Sequence, residues 1–99
     1  MMKMHTVNAK DYRDLQGLIV SSAERLSESI IPWIRDEEAV RVSMDGLFGV
    51  SSTYFNTVLL AVRDACGDGA VQQLEFQFTS DIQRDVYERS RDAILALPR

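Results

Sequence analysis

Ala39-Val40-Arg41-Val42-Ser43-Met44-Asp45-Gly46-Leu47-Phe48-Gly49-Val50-Ser51-Ser52-Thr53-Tyr54-Phe55-Asn56 is the stretch of this chain that decides its fold. From Val40 to Met44 apolar side chains alternate with Arg41, Ser43 and Asp45. A period of two predicts a strand with one dry side and one wet side. Gly46 and Gly49 interrupt that pattern, and the hydroxyl residues Ser51, Ser52 and Thr53 then stand where a helix is expected to begin. Phe55, Val58, Leu59, Val62, Ala65 and Cys66 follow at helical spacing, and Gly67 supplies a C-cap. A strand feeding an amphipathic helix through a short turn is the repeating unit of an α/β fold.

The same unit is legible on both flanks. Met4 to Val7 reads as a short edge strand, after which Asn8 caps a helix with Asp11 in its first turn. The apolar face of that helix is Tyr12, Leu15, Ile19, Ala23, Leu26 and Ile30. Pro32 has no N–H and disfavours helical geometry at Ile31, so the helix is expected to end or kink there, with Trp33 and Ile34 folding back over the core. On the other flank, Val71 to Phe78 alternates again, with Leu74, Phe76 and Phe78 on one face and Gln73, Glu75 and Gln77 on the other. Thr79 or Ser80 opens a last helix, with Gln83 in capping-box register, an apolar face of Ile82, Val86, Ser90, Ala93, Ile94 and Leu97, and Pro98 as its stop. The order predicts one α/β domain over residues 1–99, with three to four mainly parallel strands and three helices covering one face of the sheet. Arg41, Ser43, Gln73, Glu75 and Gln77 are expected on the open face.

Composition narrows the class of function. A chain of 99 residues, 45% hydrophobic and 26% charged, has the make-up of one globular domain. Its net charge of −4, with the two signs interspersed, provides no basic stripe to neutralise phosphates, which counts against nucleic acid as a partner. The lone Cys66 cannot close a disulfide within the chain, which fits the cytoplasm, and neither a signal-peptide pattern nor a membrane-length apolar run is present. So small a core is compatible with help from a homo-oligomer.

Residues for catalysis are sparse. His5 and Cys66 lie far apart, so no metal set assembles from them, and they read as a surface histidine near a frayed terminus and a small buried hydrophobe. A nucleophile would need a base, and no G-x-S-x-G or triad arrangement appears. Gly46-Leu47-Phe48-Gly49 matches neither the dinucleotide nor the P-loop fingerprint. The expectation is therefore a protein that is not an enzyme and carries no cofactor or metal.

What remains is the hydroxyl cluster. Ser51, Ser52 and Thr53 at a helix start place O–H and free N–H groups together, and the simplest reading is capping. The same groups could hold an anion, or a phosphate added to one of them would sit favourably at the positive helix end. Ser51, Ser52, Thr53, Asn56 and Asp45 are accordingly the candidates for partner binding, anion binding or phosphorylation.

The strand Val40 to Gly46, the turn Phe48-Gly49-Val50 and the helix opening Ser51-Ser52-Thr53-Tyr54-Phe55-Asn56 resemble the bacterial STAS-like domains of unknown function. In those domains a V-x-L-D-F strand is followed by a G-V turn and a helix opening S-x-S-F-x-[ND]-E. The likeness extends over roughly residues 10 to 96 and includes the helix start Thr79-Ser80-Asp81-Ile82. It implies a STAS-like fold and a regulatory, protein-docking role. The D-S-x-G-L stretch of the related anti-sigma-factor antagonists is replaced here by Val50-Ser51-Ser52-Thr53, so the resemblance does not extend to their phosphoswitch. The function expected from the sequence is a non-enzymatic protein-interaction module that docks its partner at Ser51 to Thr53. The alternative is a small-molecule or nucleotide (anion) site at the same junction, and a third reading is a self-associating structural subunit.

Overall fold

The computed structural model describes residues 3–47 and 50–98; the Phe48-Gly49 part of the expected turn lies outside them. Along the described residues run β1 (Met4–Asn8), α1 (Ile19–Arg35), β2 (Ala39–Ser43), α2 (Ser52–Cys66), α3 (Asp68–Gln73), β3 (Glu75–Gln77) and α4 (Asp81–Ala96), with a 3-10 turn at Ala9–Tyr12. Strand β2 is central, with β1 and β3 parallel to it on either side. The expected α/β architecture with parallel strands is therefore present, built on three strands.

The alternation of β2 has the consequence its period requires. Val40 and Val42 are buried, as is Met44 just beyond the strand, whereas Arg41 and Ser43 are half-exposed. Cross-strand register aligns Thr6, Arg41 and Glu75 in one row of the outer face and Asn8, Ser43 and Gln77 in the next. Arg41 Nε donates to Glu75 Oε2 at 3.0 Å across that face. The inner face meets one core in which α2 lies between α1 and α4. Phe55 is at its centre, edge-on to Phe76, Phe78 and Tyr87 with ring centroids 5.4–6.2 Å apart, the geometry aromatic quadrupoles favour. Glu75 and Gln77 are exposed, as a sheet covered from one side requires.

Several local expectations are corrected. Helix α1 starts at Ile19 rather than after Asn8, because Asp14 forms a competing turn: its Oδ2 accepts the N–H groups of Gln16 (2.9 Å) and Leu18 (3.3 Å). Ser22 Oγ holds the same turn by accepting the Asp14 N–H and donating to the Leu18 carbonyl, both at 2.8 Å. Gly17 takes φ +75°, which a side chain would resist. Pro32 does not end α1; the helix continues to Arg35, with Trp33 and Ile34 partly buried against the core.

The third strand is also shorter than its alternation implies. Val71 and Gln73 belong to α3, and only Glu75 to Gln77 pair with β2, so Gln73 is exposed from a helix and not from the sheet. Gly67 at φ +93° terminates α2, and Arg63 Nε donates to Asp68 Oδ1 at 2.7 Å, drawing the next residues into a short helix. Helix α4 keeps part of its expected face, Ser90 and Ile94 being buried, but it is turned at the rest: Ile82 and Ala93 are exposed and Gln83 and Tyr87 are buried. The reason is the cap. Ser80 Oγ accepts the Gln83 N–H at 3.1 Å, Gln83 Oε1 accepts the Thr79 N–H at 3.0 Å, and Gln83 Nε2 donates to the Leu47 carbonyl at 3.3 Å, so this amide is satisfied only when turned inward.

His5 is not a loose surface residue. Its ring stacks on Trp33 with centroids 4.1 Å apart, and its Nε2 lies 2.9 Å from Glu38 Oε2, tying β1 to the loop that leads into β2. Among the described residues no helix is long and apolar enough to cross a membrane.

Candidate functional site

Where β1 and β2 end, the chain makes two departures, one into the 3-10 turn and one towards α2. A cavity of about 360 Å3 opens between them. It lies outside the carboxyl ends of parallel strands, where open α/β sheets bind their ligands. Its apolar wall is Ala9, Ile19, Leu47 and Val50, and Gly17 and Gly46 contribute bare backbone. Arg13, Ser22, Ser51 and Tyr54 are its polar residues.

Two of these polar groups are unusual. The hydroxyls of Ser51 and Tyr54 are buried and have no hydrogen-bond partner among the described residues. Leaving a buried hydroxyl unmatched costs about 1–3 kcal/mol. Tyr54 is only 4% exposed, and burial pushes its phenol up to about 12. At neutral pH it is therefore an O–H donor. Ser51 occupies the N-cap position of α2 in extended geometry (φ −94°, ψ 169°), but its side chain makes no capping hydrogen bond. The simple capping expected from the sequence is thus not how this hydroxyl is used. The first-turn N–H groups of α2 remain without a side-chain acceptor at the positive end of the helix.

Two cations flank the opening. Arg13 lines it, and the Lys10 side chain lies over Gly46, where an added Cβ would stand 2.9 Å from Lys10 Cδ and 3.7 Å from its Nζ. A Cβ on Gly46, whose φ is +82°, would press on this lysine.

Of the five residues singled out from sequence, only Ser51 lines the cavity. Ser52 and Thr53 are exposed on the first turn of α2, Asn56 is half-buried farther along it, and Asp45 is exposed with its N–H 3.3 Å from Ser43 Oγ. Tyr54, Arg13 and Gly17 were not foreseen. Arg13 and Gly17 fell inside the stretch expected to be helical. Tyr54 carried a usable signal, since a tyrosine on the buried face of an amphipathic helix must find a partner for its hydroxyl.

A larger concavity of about 760 Å3 lies at the opposite end of the sheet, between the end of α1, α3 and the amino ends of β2 and β3. Of its three carboxylates, Glu38 and Glu75 pair with His5 and Arg41, and Glu37 is exposed; Cys66 is half-buried at its edge. Among the described residues no group of three His, Cys, Asp or Glu side chains is placed to hold a metal ion. No family model, no curated protein and no solved structure matches the chain.

Proposed function

We propose that this protein is a non-enzymatic interaction module that docks a protein partner on the surface around the N-terminus of α2. The observation that carries the reading is a run of uncovered apolar side chains beside the cavity: Leu15 is 97% exposed, Leu18 54%, Ile19 46% and Val20 44%. Exposed apolar side chains grouped in this way next to a concave, polar-rimmed site are characteristic of a docking surface. The two tyrosines with raised pKa, Tyr54 and Tyr87, move away from the neutral range in which acid–base catalysts work, and this too favours binding over chemistry. The resemblance to STAS-like regulatory domains points to the same class of role.

Regulation would enter at Ser52 or Thr53, which are open to solvent, and not at Ser51, whose hydroxyl is enclosed. A phosphate on either exposed residue would be stabilised by the helix dipole and would place charge beside the docking surface. The single unpaired Cys66 supports a cytoplasmic setting.

The test is affinity capture from cells with wild-type protein, a Leu15→Asp/Leu18→Asp variant and Ser52→Asp. The double variant should lose the specific partner while its melting temperature holds, because both side chains are solvent-facing. Ser52→Asp should change the amount captured. A partner retained by the double variant, or a second copy of the chain as sole partner, would contradict the reading.

A further inference from the structure

We propose that Asp45-Gly46, in the turn that leaves β2, is a site of spontaneous isoaspartate formation, and that the fold protects the other Asp-Gly pair of the chain, Asp68-Gly69, from the same reaction. The site goes beyond the docking surface and is independent of it. A partner can be held at Leu15 and Leu18 whether or not residue 45 has rearranged.

The chemistry needs an aspartate followed by a residue that leaves its main-chain nitrogen open to attack, and glycine, with no Cβ, does so best. These two pairs are the places in the sequence where glycine follows aspartate. The Gly46 nitrogen bonds to the carboxyl carbon of the Asp45 side chain, the hydroxyl of that carboxyl leaves with the proton of the nitrogen as water, and a five-membered succinimide closes. Water then opens the ring at either carbonyl. Attack at the side-chain carbonyl restores aspartate. Attack at the main-chain carbonyl leaves the chain running through the side-chain carbon, one methylene longer, with a freed α-carboxylate. The water lost in the first step is regained in the second, and nothing is oxidised or reduced.

The dipeptides are identical, so their surroundings decide between them. Asp45 and Gly46 are both exposed, and their turn is closed by one main-chain hydrogen bond, from the Leu47 N–H to the Met44 carbonyl at 3.0 Å. Among the described residues neither the Asp45 carboxyl nor the Gly46 N–H has a hydrogen-bond or ion-pair partner. The rotation at Asp45 that carries the Gly46 nitrogen under the carboxyl carbon therefore strains only a surface turn, at a glycine already in the freely accessible region of φ +82°. Asp68 is held differently. It is the first residue of α3, and its Oδ1 accepts from Arg63 Nε at 2.7 Å. Arg63 is itself buried and fixed by the Ile94 and Leu97 carbonyls, so the Asp68 carboxyl cannot swing onto the Gly69 nitrogen without giving up a charged donor that does not follow it.

The test is ageing of the full chain for several weeks at mildly acidic pH, native in one sample and in guanidinium chloride in another. Trypsin separates the two pairs, placing the first in peptide 42–63 and the second in peptide 64–84. Each peptide is scored for an isomer of unchanged mass that accepts a methyl group from S-adenosylmethionine through an isoaspartyl carboxyl methyltransferase. In the native protein, peptide 42–63 should gain isoaspartate at least about tenfold faster than peptide 64–84, because a hydrogen bond to a charged group must break before the second ring closes. In guanidinium chloride the two rates should converge. Asp45→Glu, whose ring would have six members, should silence peptide 42–63 with no loss of melting temperature. Equal native rates, a faster peptide 64–84, or a native peptide 42–63 that stays unchanged while the denatured chain rearranges would overturn the proposal. So would a contrast that persists in guanidinium chloride, since the fold would then not be its cause.

Discussion

Tyr54 concentrates the physical argument in one side chain. Its ring belongs to the core, edge-on to Phe55 at 5.7 Å, while its hydroxyl is enclosed with no hydrogen-bond partner among the described residues. Two consequences can be measured. At neutral pH, Tyr54→Phe should melt no lower than wild type, because the change removes an unmatched polar atom and keeps the ring. At alkaline pH the sign is set by burial. Below pH of about 10 folded and unfolded chains both hold the phenolic proton. Between that value and the folded pKa of about 12 only the folded state holds it, so stability falls as pH rises. The loss amounts to roughly 2–3 kcal/mol across that window. Denaturant melts of wild type and Tyr54→Phe at pH 9 to 12 should therefore diverge, with wild type losing more. Curves that stay parallel would mean the phenol is not desolvated.

Arg63 shows how one side chain can organise several elements. It projects from the last turn of α2, is buried, and spends its guanidinium on Asp68 Oδ1 at the start of α3 and on the carbonyls of Ile94 and Leu97 at the end of α4. The carbonyls that end α4 thereby receive a charged donor. Arg63→Met should lower unfolding free energy by roughly 3 kcal/mol, because the buried Ile94 carbonyl loses its donor along with the other contacts. Arg84→Met should cost less than about 0.5 kcal/mol, its ion pair with Asp81 being solvent-exposed. Urea unfolding of the two variants checks the contrast. This clamp was not legible in the sequence, where Arg63 stands on a helix between Val62 and Asp64 with nothing to mark it as buried. Existence and type of the long elements were legible, since Val40-Val42-Met44 and Phe55-Val58-Leu59-Val62 carry their periods openly. Boundaries were lost where a side chain overrode periodicity: Asp14 delayed α1, and Gln83 turned α4. Val71, which fits either an alternating strand or a short helix, followed the Gly67 break into α3.

At the level of the fold, a sheet covered on one side divides the protein into three surfaces. Helices fill the inner face, the rows Thr6-Arg41-Glu75 and Asn8-Ser43-Gln77 form a polar outer face, and the carboxyl ends of β1 and β2 meet α2 at a cavity edged by bare leucines and isoleucine. The hydroxyl residues mark this junction in the sequence, and of the residues there Ser51 and Tyr54 line the cavity while Ser52 and Thr53 are exposed on the first turn of α2. Which surface recognises a partner can be read directly by placing a photo-cross-linking amino acid at Leu15 in one protein and at Gln77 in another, and irradiating both in cells. The account predicts one discrete cross-linked species from position 15 and none from position 77. Cross-linking from position 77 with silence at position 15 would assign recognition to the open sheet and contradict it.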